Sequence, residues 1–387
     1  MTSTARAISC KIVHSSSPLP IMENVAHTLT GLALARAGLG RTTPLATSAL
    51  VLGANLPDID LLWSLGGELA YLEYHRGWTH SLLGGMVGTV ALWATLLGIG
   101  SRHRRWGEVR AGALLLASAA GVWSHILLDA SNAYGLRPFL PWDGRWVYGD
   151  VWHIVDPWLW LLLGTAIFIS GRGGRGRVGA WIAAASGITL VVVVLPIPIV
   201  APGTRVTWMV GLAIALALAR RRAGARGAAF APRIALATVV VYAAGCAILH
   251  AAAVARLDAL SPGDAAARAA IPRFGDPVRW DGLIADRRSV RHRIVGSFAA
   301  LDSPASETRV FPRNLDDPRV VPLLDSCAGE VVRGFFRYPF AVVDVDPSGD
   351  GRVVVRDARF SRNSDGFASV TVPVALGVPD LRALACP

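Results

Sequence analysis

Apolar residues run almost unbroken through eight segments of the first two thirds of the chain. They lie at about 25–38, 44–56, 81–100, 111–128, 155–170, 178–200, 206–219 and 234–255. A helix needs ~20 such residues to cross a bilayer. Segments 81–100, 178–200 and 234–255 therefore predict full spans, and 111–128 is just long enough. The short pair 25–38 and 44–56 tilts, extends, or folds back as a re-entrant hairpin. Between them, Gly38-Leu39-Gly40-Arg41-Thr42-Thr43-Pro44 carries helix stop and start signals. Pro196, Pro198 and Pro202 break any continuous helix through 196–205. No internal repeat stands out.

From about residue 256 the pattern changes. Charge density rises and short β-branched or alternating runs predict strands at Ser289–Phe298, Val331–Tyr338, Phe340–Val345, Arg352–Phe360 and Phe367–Val374. Turn signals separate them, notably Asp346-Pro347-Ser348-Gly349-Asp350-Gly351 and Asn363-Ser364-Asp365-Gly366. The first of these resembles an EF-hand loop but lacks the closing Glu and the flanking helices, and reads as a turn. The expected fold is an all-α polytopic membrane domain of about seven to eight apolar helices, followed by a small β-rich soluble domain. Its divisions are an N-terminal extension at 1–21, a core at 22–160, further transmembrane helices at 161–255 and the β-rich domain at 256–387.

Composition agrees with that class: 387 residues, 53% hydrophobic, 17% charged, mean hydropathy +0.45. A net charge of +11 would suit nucleic acid, but the arginines cluster in short loops between apolar segments, where they set topology instead. One set of loops holds thirteen arginines, at 41, 102–110, 172–177 and 220–233. The alternating set holds four: Arg76, Arg137, Arg145 and Arg205. The excess marks the first set as cytoplasmic and places the other loops, and the C-terminal region, on the non-cytoplasmic face of an inner (plasma) membrane. Four cysteines are too few for a disulfide scaffold. Cys327 and Cys386 share the soluble region and can form one bond if it is exported. Residues 1–21 are Ser-rich with no apolar core, so they are not a signal peptide. Either Met22 is the true start or the stretch is a disordered tail.

The charges that remain near the apolar segments carry the chemistry. Ten His and Asp residues between Met22 and Trp158 sit at segment ends: His27, Asp58, Asp60, His75, His80, His125, Asp129, Asp150, His153 and Asp156. Singly, each has a plain explanation. Helix-terminal aspartates cap helices, and His125 with Asp129 at i, i+4 can be a packing pair. His75 and His80 around Trp78 suit an interfacial cluster, and Trp152, Trp158 and Trp160 an aromatic belt. Asp150, His153 and Asp156 recur every three residues and share a helix face. Together the stretches converge on one side of the membrane, where an unpaired charge is costly. Imidazole and carboxylate are the ligands of hard-to-borderline divalent metals, so the convergence points to a metal site.

The motifs resemble those of the LexA-regulated inner-membrane proteins described as membrane-bound metal-dependent hydrolases, in particular their YfhP-like branch. The likeness rests on Asn24-Val25-Ala26-His27, Leu56-Pro57-Asp58-Ile59-Asp60, His75-Arg76-Gly77-Trp78-Thr79-His80-Ser81 and Ser124-His125-Ile126-Leu127-Leu128-Asp129. Asn132-Ala133-Tyr134-Gly135, Arg137-Pro138-Phe139 and Asp156-Pro157-Trp158 extend it over about 22–160. It implies a metal hydrolase without fixing a substrate. A fainter likeness is to the zinc-dependent phospholipase C and single-strand nuclease superfamily, whose order of His, Asp, His and His-x-x-x-Asp is matched up to Asp129. The later His and His-x-x-x-Glu pattern has no clean match.

The expected ligands are His27, Asp58, His80, His125 and Asp129, with Asp60 as a bridging ligand or general base. The ions are one to three of zinc or manganese, which generate hydroxide from bound water at neutral pH. His75 or His153 would protonate the leaving group and Arg76 would hold an anionic phosphoryl oxygen. Asp150 and Asp156 would orient imidazoles. A site at headgroup depth favours a lipid or amphiphilic phosphorylated substrate, with no nucleic acid involved. Two other classes compete: a membrane scaffold with a structural metal, and a divalent-metal transporter.

Overall fold

A computed structural model describes residues 19–102, 108–171, 185, 188–189, 200–220, 225–261, 267–301, 308–362 and 367–384. The expected N-terminal extension up to residue 18, most of the apolar segment 178–200 and the turn at Asn363–Gly366 lie outside them.

The N-terminal part is helical: α1 (Leu19–Arg36), α2 (Ala46–Gly53), α3 (Glu68–Tyr74), α4 (Leu82–Arg102), α5 (Ala111–Ala130) and α6 (Pro157–Ser170). Two more helices follow, α7 (Pro202–Arg220) and α8 (Ala225–Ala259). Among the described residues three helices are long and apolar enough to cross a membrane: Leu82–Arg102, Ala111–Ala130 and Phe230–Ala259. They match the expected spans 81–100, 111–128 and 234–255, most of 178–200 lies outside the described residues, and the count of about seven to eight apolar helices is not supported. The segment at 44–56 yields only the eight residues of α2, ~12 Å of helix against a ~30 Å core. The segment at 155–170 yields the fourteen of α6, capped at its start by the Asp156 carboxylate.

Short helices mark where the chain packs closely. A side chain at Gly121 of α5 would approach the Leu50 carbonyl oxygen to 2.8 Å, and one at Gly31 of α1 would meet the same atom at 2.7 Å. Both glycines therefore let α1 and α5 lie backbone to backbone against α2. After α2 the chain enters a ten-residue 3-10 helix, Pro57–Gly66, with Pro57 in its first turn. A 3-10 helix repeats every three residues, so side chains eclipse at i, i+3. Ile59, Leu62 and Leu65 form one such row and are 56%, 63% and 86% exposed, whereas Asp58 and Asp60 are buried on the inner side.

Two four-stranded antiparallel meanders make up the C-terminal part. The first is β1 (Ala267–Arg273), β2 (Asp276–Ala285), β3 (Ser289–Gly296) and β4 (Arg309–Pro312). It leads on from α8, whose Ala253 packs with Ala270 and Trp280 and whose Leu257 packs with Ile284 and Val295. The second is β5 (Pro339–Val345), β6 (Gly351–Asp357), β7 (Ser369–Ala375) and β8 (Val378–Pro379). Asp346–Gly351 is the β5–β6 hairpin turn, closed by Asp346 Oδ1 accepting from the Ser348 and Asp350 amides.

One expected strand is a helix. Val331–Tyr338 falls largely within the helix Cys327–Phe335, which buries Ala328, Val331, Val332 and Phe335. That i, i+3, i+4, i+7 spacing is a helical face, which the local run of β-branched and aromatic residues disguised. This face shares one core with Val353, Val355, Val370 and Val372 of the second sheet and with Leu69, Leu72 and Tyr134 of the N-terminal part. The β-rich region is therefore packed directly onto the helical one. Cys327 is disulfide-bonded, and its expected partner Cys386 lies outside the described residues.

Candidate metal centre

Three elements converge on one buried point. The 3-10 helix brings Asp58 and Asp60, the loop before α4 brings His75, Arg76 and His80, and the last turns of α5 bring His125 and Asp129. Asp58, His80, His125 and Asp129 form a four-donor group, and Asp58, Asp60 and His75 an adjacent three-donor group that shares Asp58.

The four-donor geometry is specific. His80 Nε2 and His125 Nε2 lie 3.0 Å apart. Asp129 Oδ2 is 3.1 Å from the first and 3.2 Å from the second, and Asp58 Oδ1 is 3.5 and 3.4 Å from them. Ligands ~2.0–2.1 Å from a tetrahedral ion are separated by about 3.3–3.4 Å. Five of the six edges, 3.0 to 3.5 Å, bracket that value.

Tautomers follow from the partners. His125 Nδ1 donates to the Ala54 carbonyl at 2.8 Å, which leaves Nε2 with its lone pair toward the centre. His80 Nδ1 lies 3.1 Å from Asp60 Oδ2, so its Nε2 is exposed to the centre in the same way. Two lone pairs and two carboxylates thus face one another with no donor among them. Asp58 Oδ1 and Asp129 Oδ2 are buried without a hydrogen-bond partner, and a buried acceptor left so is costly. These residues fit a divalent cation. Electrostatics agree: burial alone would lower the His80 imidazole, but Asp60, then Asp129 and Asp58, hold it well above its ordinary range. Burial would raise the Asp58 carboxyl, yet His125 and His80 hold it well below. Without an ion, the cluster collects protons in its place.

Asp60 is occupied as an anchor. Its Oδ1 lies 2.8 Å from His75 Nδ1, and its Oδ2 accepts from the Arg76 amide at 2.9 Å and from Thr79 Oγ1 at 2.6 Å. A carboxylate behind an imidazole fixes that ring's orientation and tautomer, and Asp60 stands behind two. Burial lowers the His75 imidazole, outweighing Asp60. Arg76, at φ 57 in the left-handed region, points its amide at Asp60 while its guanidinium turns the other way. Nη2 is 3.0 Å from Asp129 Oδ1, Nη1 donates to Asn132 Oδ1 at 2.9 Å, and the group lies 4.6 Å over the Tyr134 ring.

His27 of α1 stacks on the His125 ring at 3.8 Å between centroids, and its Nε2 is 3.3 Å from Asp129 Oδ1. It borders the centre without joining either donor group. His153 is not brought there. Its Nδ1 contacts Val155 and its ring meets Phe274 edge-on at 5.6 Å, and burial pushes it down to about 4. Asp150 pairs with Arg337 at 2.7 Å, and Asp156 caps α6 and accepts from Tyr242. Both carboxylates are therefore engaged away from the imidazoles they were expected to orient. Three participants carried no assigned role in the sequence. Asn132 and Tyr134 lie in the motif block after Asp129, which was their only signal; the Ala54 carbonyl had none.

Comparison with known proteins bears on the same part of the chain. Residues 22–200 match the family profile of the YdjM inner membrane protein. Over 163 residues the chain is 27% identical to the uncharacterized protein YfhP of Bacillus subtilis (strain 168), covering 40% of this chain. The aligned stretch spans about half the length of that relative, 47%. No solved structure matches. The likeness to the LexA-regulated YdjM/YfhP-like membrane family, read above from motifs, holds over this region.

Proposed function

We propose that this chain, of the YdjM/YfhP-like membrane type over residues 22–200, is a metal-dependent hydrolase that cleaves a phosphoester of a lipid-like substrate. The observation that carries the reading is the set of five donor separations around Asp58, His80, His125 and Asp129. Zinc is the ion this His2Asp2 set suits best, with manganese as the alternative. The adjacent group of Asp58, Asp60 and His75 offers a second position sharing a carboxylate, a surplus that a purely structural site does not need. A bound divalent ion supplies Lewis-acid activation of water and of a phosphoryl oxygen.

The protein's own groups do the rest. Asp60 holds His80 and His75 in register. Arg76 offsets the charge of Asp129 and also donates to Asn132, which favours a structural role over gripping the substrate. His75, whose imidazole burial lowers and which lies 5.7 Å from the His80 ring, is the proton carrier; His153 is too differently placed. The exposed row Ile59, Leu62 and Leu65, with exposed Trp63 and Trp78, supports immersion of the outer side of this 3-10 helix in the membrane interface. Such immersion supports the reading of a centre at headgroup depth acting on an amphiphilic substrate. The arginine asymmetry and the bonded Cys327 support a multi-pass inner-membrane protein with the centre and the β-rich region on the oxidising, non-cytoplasmic face.

One observation favours a second reading. All four donors are buried, His80 and His125 completely, as in closed structural sites. The test is zinc-loaded protein in lipid nanodiscs supplied with phosphatidic acid and polyprenyl phosphates, with released phosphate as readout. Turnover lost in His80→Ala, and lowered in His75→Gln with zinc retained, is expected. Stoichiometric zinc with no turnover on any phospholipid would replace the hydrolase by a structural metal protein.

A further inference from the structure

The C-terminal region contacts the turn behind the metal centre, and Arg359 makes the most extensive of these contacts. Arg359, just beyond β6, has a completely buried guanidinium. Its charge is matched by Asp357, itself completely buried, at 2.8 Å. The remaining donors go to backbone carbonyls: Nη1 to Ala133 at 2.9 Å and Tyr134 at 3.4 Å, and Nη2 to Phe335 at 2.8 Å. Ala133 and Tyr134 lie more than 220 residues away in sequence. A planar fork with several donors at fixed angles is needed to hold three carbonyls at once, which lysine cannot do.

The Ala133 and Tyr134 carbonyls belong to the turn that follows α5, just after Asp129. Within the turn, Asn132 Oδ1 accepts from the Tyr134 amide and from Arg76 Nη1, both at 2.9 Å. Arg76 lies over the Tyr134 ring and places Nη2 3.0 Å from Asp129 Oδ1. Asp129 Oδ2 faces His80 and His125. A second strut runs parallel: Arg337 pairs with Asp150 at 2.7 Å, and the Asp150 amide donates to the Asn132 carbonyl at 3.4 Å. Tyr134 also packs on Phe335 and Phe367 of the C-terminal region. The first part of the chain therefore does not complete this side of the centre alone.

We infer that Arg359 is a positioning residue for the metal centre: by fixing the Ala133–Tyr134 turn it holds Asn132 and Arg76, and through them the Asp129 carboxylate. This rests on the metal reading above. It assigns the β-rich region, which lies outside the residues matched to the YdjM profile, the task of setting the centre's affinity for its ion. Groups one step removed from a metal ligand change affinity by ~10–100-fold when lost, and the same range is expected here.

The experiment is a zinc dissociation constant, measured against a chelating dye on the full-length protein in detergent. The variants are Arg359→Lys, the charge-balanced Asp357→Asn with Arg359→Met, Asn132→Ala, and Asn132→Ala combined with Arg359→Lys. Each Arg359 variant and Asn132→Ala should weaken zinc by ~10–100-fold. The combination should weaken it no further than the worse single change, because both cut the same relay. Near-ultraviolet circular dichroism reports whether the fold is kept, and Asn132→Ala tests the relay without touching the C-terminal region. Arg359 variants that lower the unfolding midpoint but leave zinc affinity within twofold would overturn the inference, as would losses that multiply in the combination. Wild type that takes up no zinc would remove the underlying metal reading, a different result from unchanged affinity.

Discussion

Asp58 and Asp129 stand symmetrically around the two imidazoles, yet they differ in what lies behind them, and this gives a sharp prediction for Asp129→Asn. Asp129 Oδ1 carries the guanidinium of Arg76, which is 0% exposed, at 3.0 Å. Removing one partner of a buried ion pair costs ~3–5 kcal/mol because the other charge stays behind. An asparagine oxygen can still accept from Arg76, so the low end, ~3 kcal/mol, is expected. Asp58 pairs with His80 and His125, at 3.5 and 3.4 Å, and Asp58→Asn strands no arginine. In chelator, equilibrium denaturation followed by tryptophan fluorescence should show Asp129→Asn less stable by ~3 kcal/mol and Asp58→Asn within ~1 kcal/mol of wild type. Zinc at 100 times its dissociation constant should then stabilise wild type by ~2.7 kcal/mol and either variant by much less. Equal costs for the two substitutions in chelator would refute the assignment of Arg76 to Asp129.

Gly121→Val should cost ~1–3 kcal/mol by overpacking, since its side chain would meet the Leu50 and Ala49 carbonyl oxygens at 2.8 and 3.0 Å; denaturation of the variant checks this. His153, pushed down to about 4 in the fold, titrates near 6.5 when unfolded. Its contribution is complete above pH ~6.5 and is lost as pH falls toward 4, where the unfolded chain takes up the proton first. The loss is up to ~3 kcal/mol, trimmed by partial exposure, and stability measured against pH should be flatter in His153→Gln. Leu62→Ser with Trp63→Ser, on the exposed side of the 3-10 helix, should raise the KM for a lipid phosphoester while zinc content stays at the wild-type value. A matching rise for a short-chain soluble phosphoester would argue against the membrane interface.

The clustering was legible because residue type and order constrain it: His80, His125, Asp58 and Asp129, four of the five expected ligands, are drawn together, with His27 beside them. Placement of His153 and Asp156 was not, because a three-residue spacing suggests a helix face where the chain instead runs as loop into the cap of α6. The count of about seven to eight apolar membrane helices finds no support for a related reason. Hydropathy reports burial from water and does not separate lipid from protein, and α2 is apolar because α1 and α5 cover it. Strand runs at Ser289, Phe340, Arg352 and Phe367 were close to β3, β5, β6 and β7. The Val331 run failed because valine and phenylalanine at helical spacing carry a strand-like composition. The Arg359 relay was out of reach, since its contacts join backbone carbonyls across more than 220 residues.

The first measurement to make is metal content by mass spectrometry on detergent-purified protein, wild type beside His125→Ala and His80→Ala. One or more equivalents of zinc or manganese in wild type, with near none in either folded variant, is the predicted result. No metal in wild type after reconstitution, or the same content in all three, would contradict it and leave the His/Asp cluster as a polar packing network.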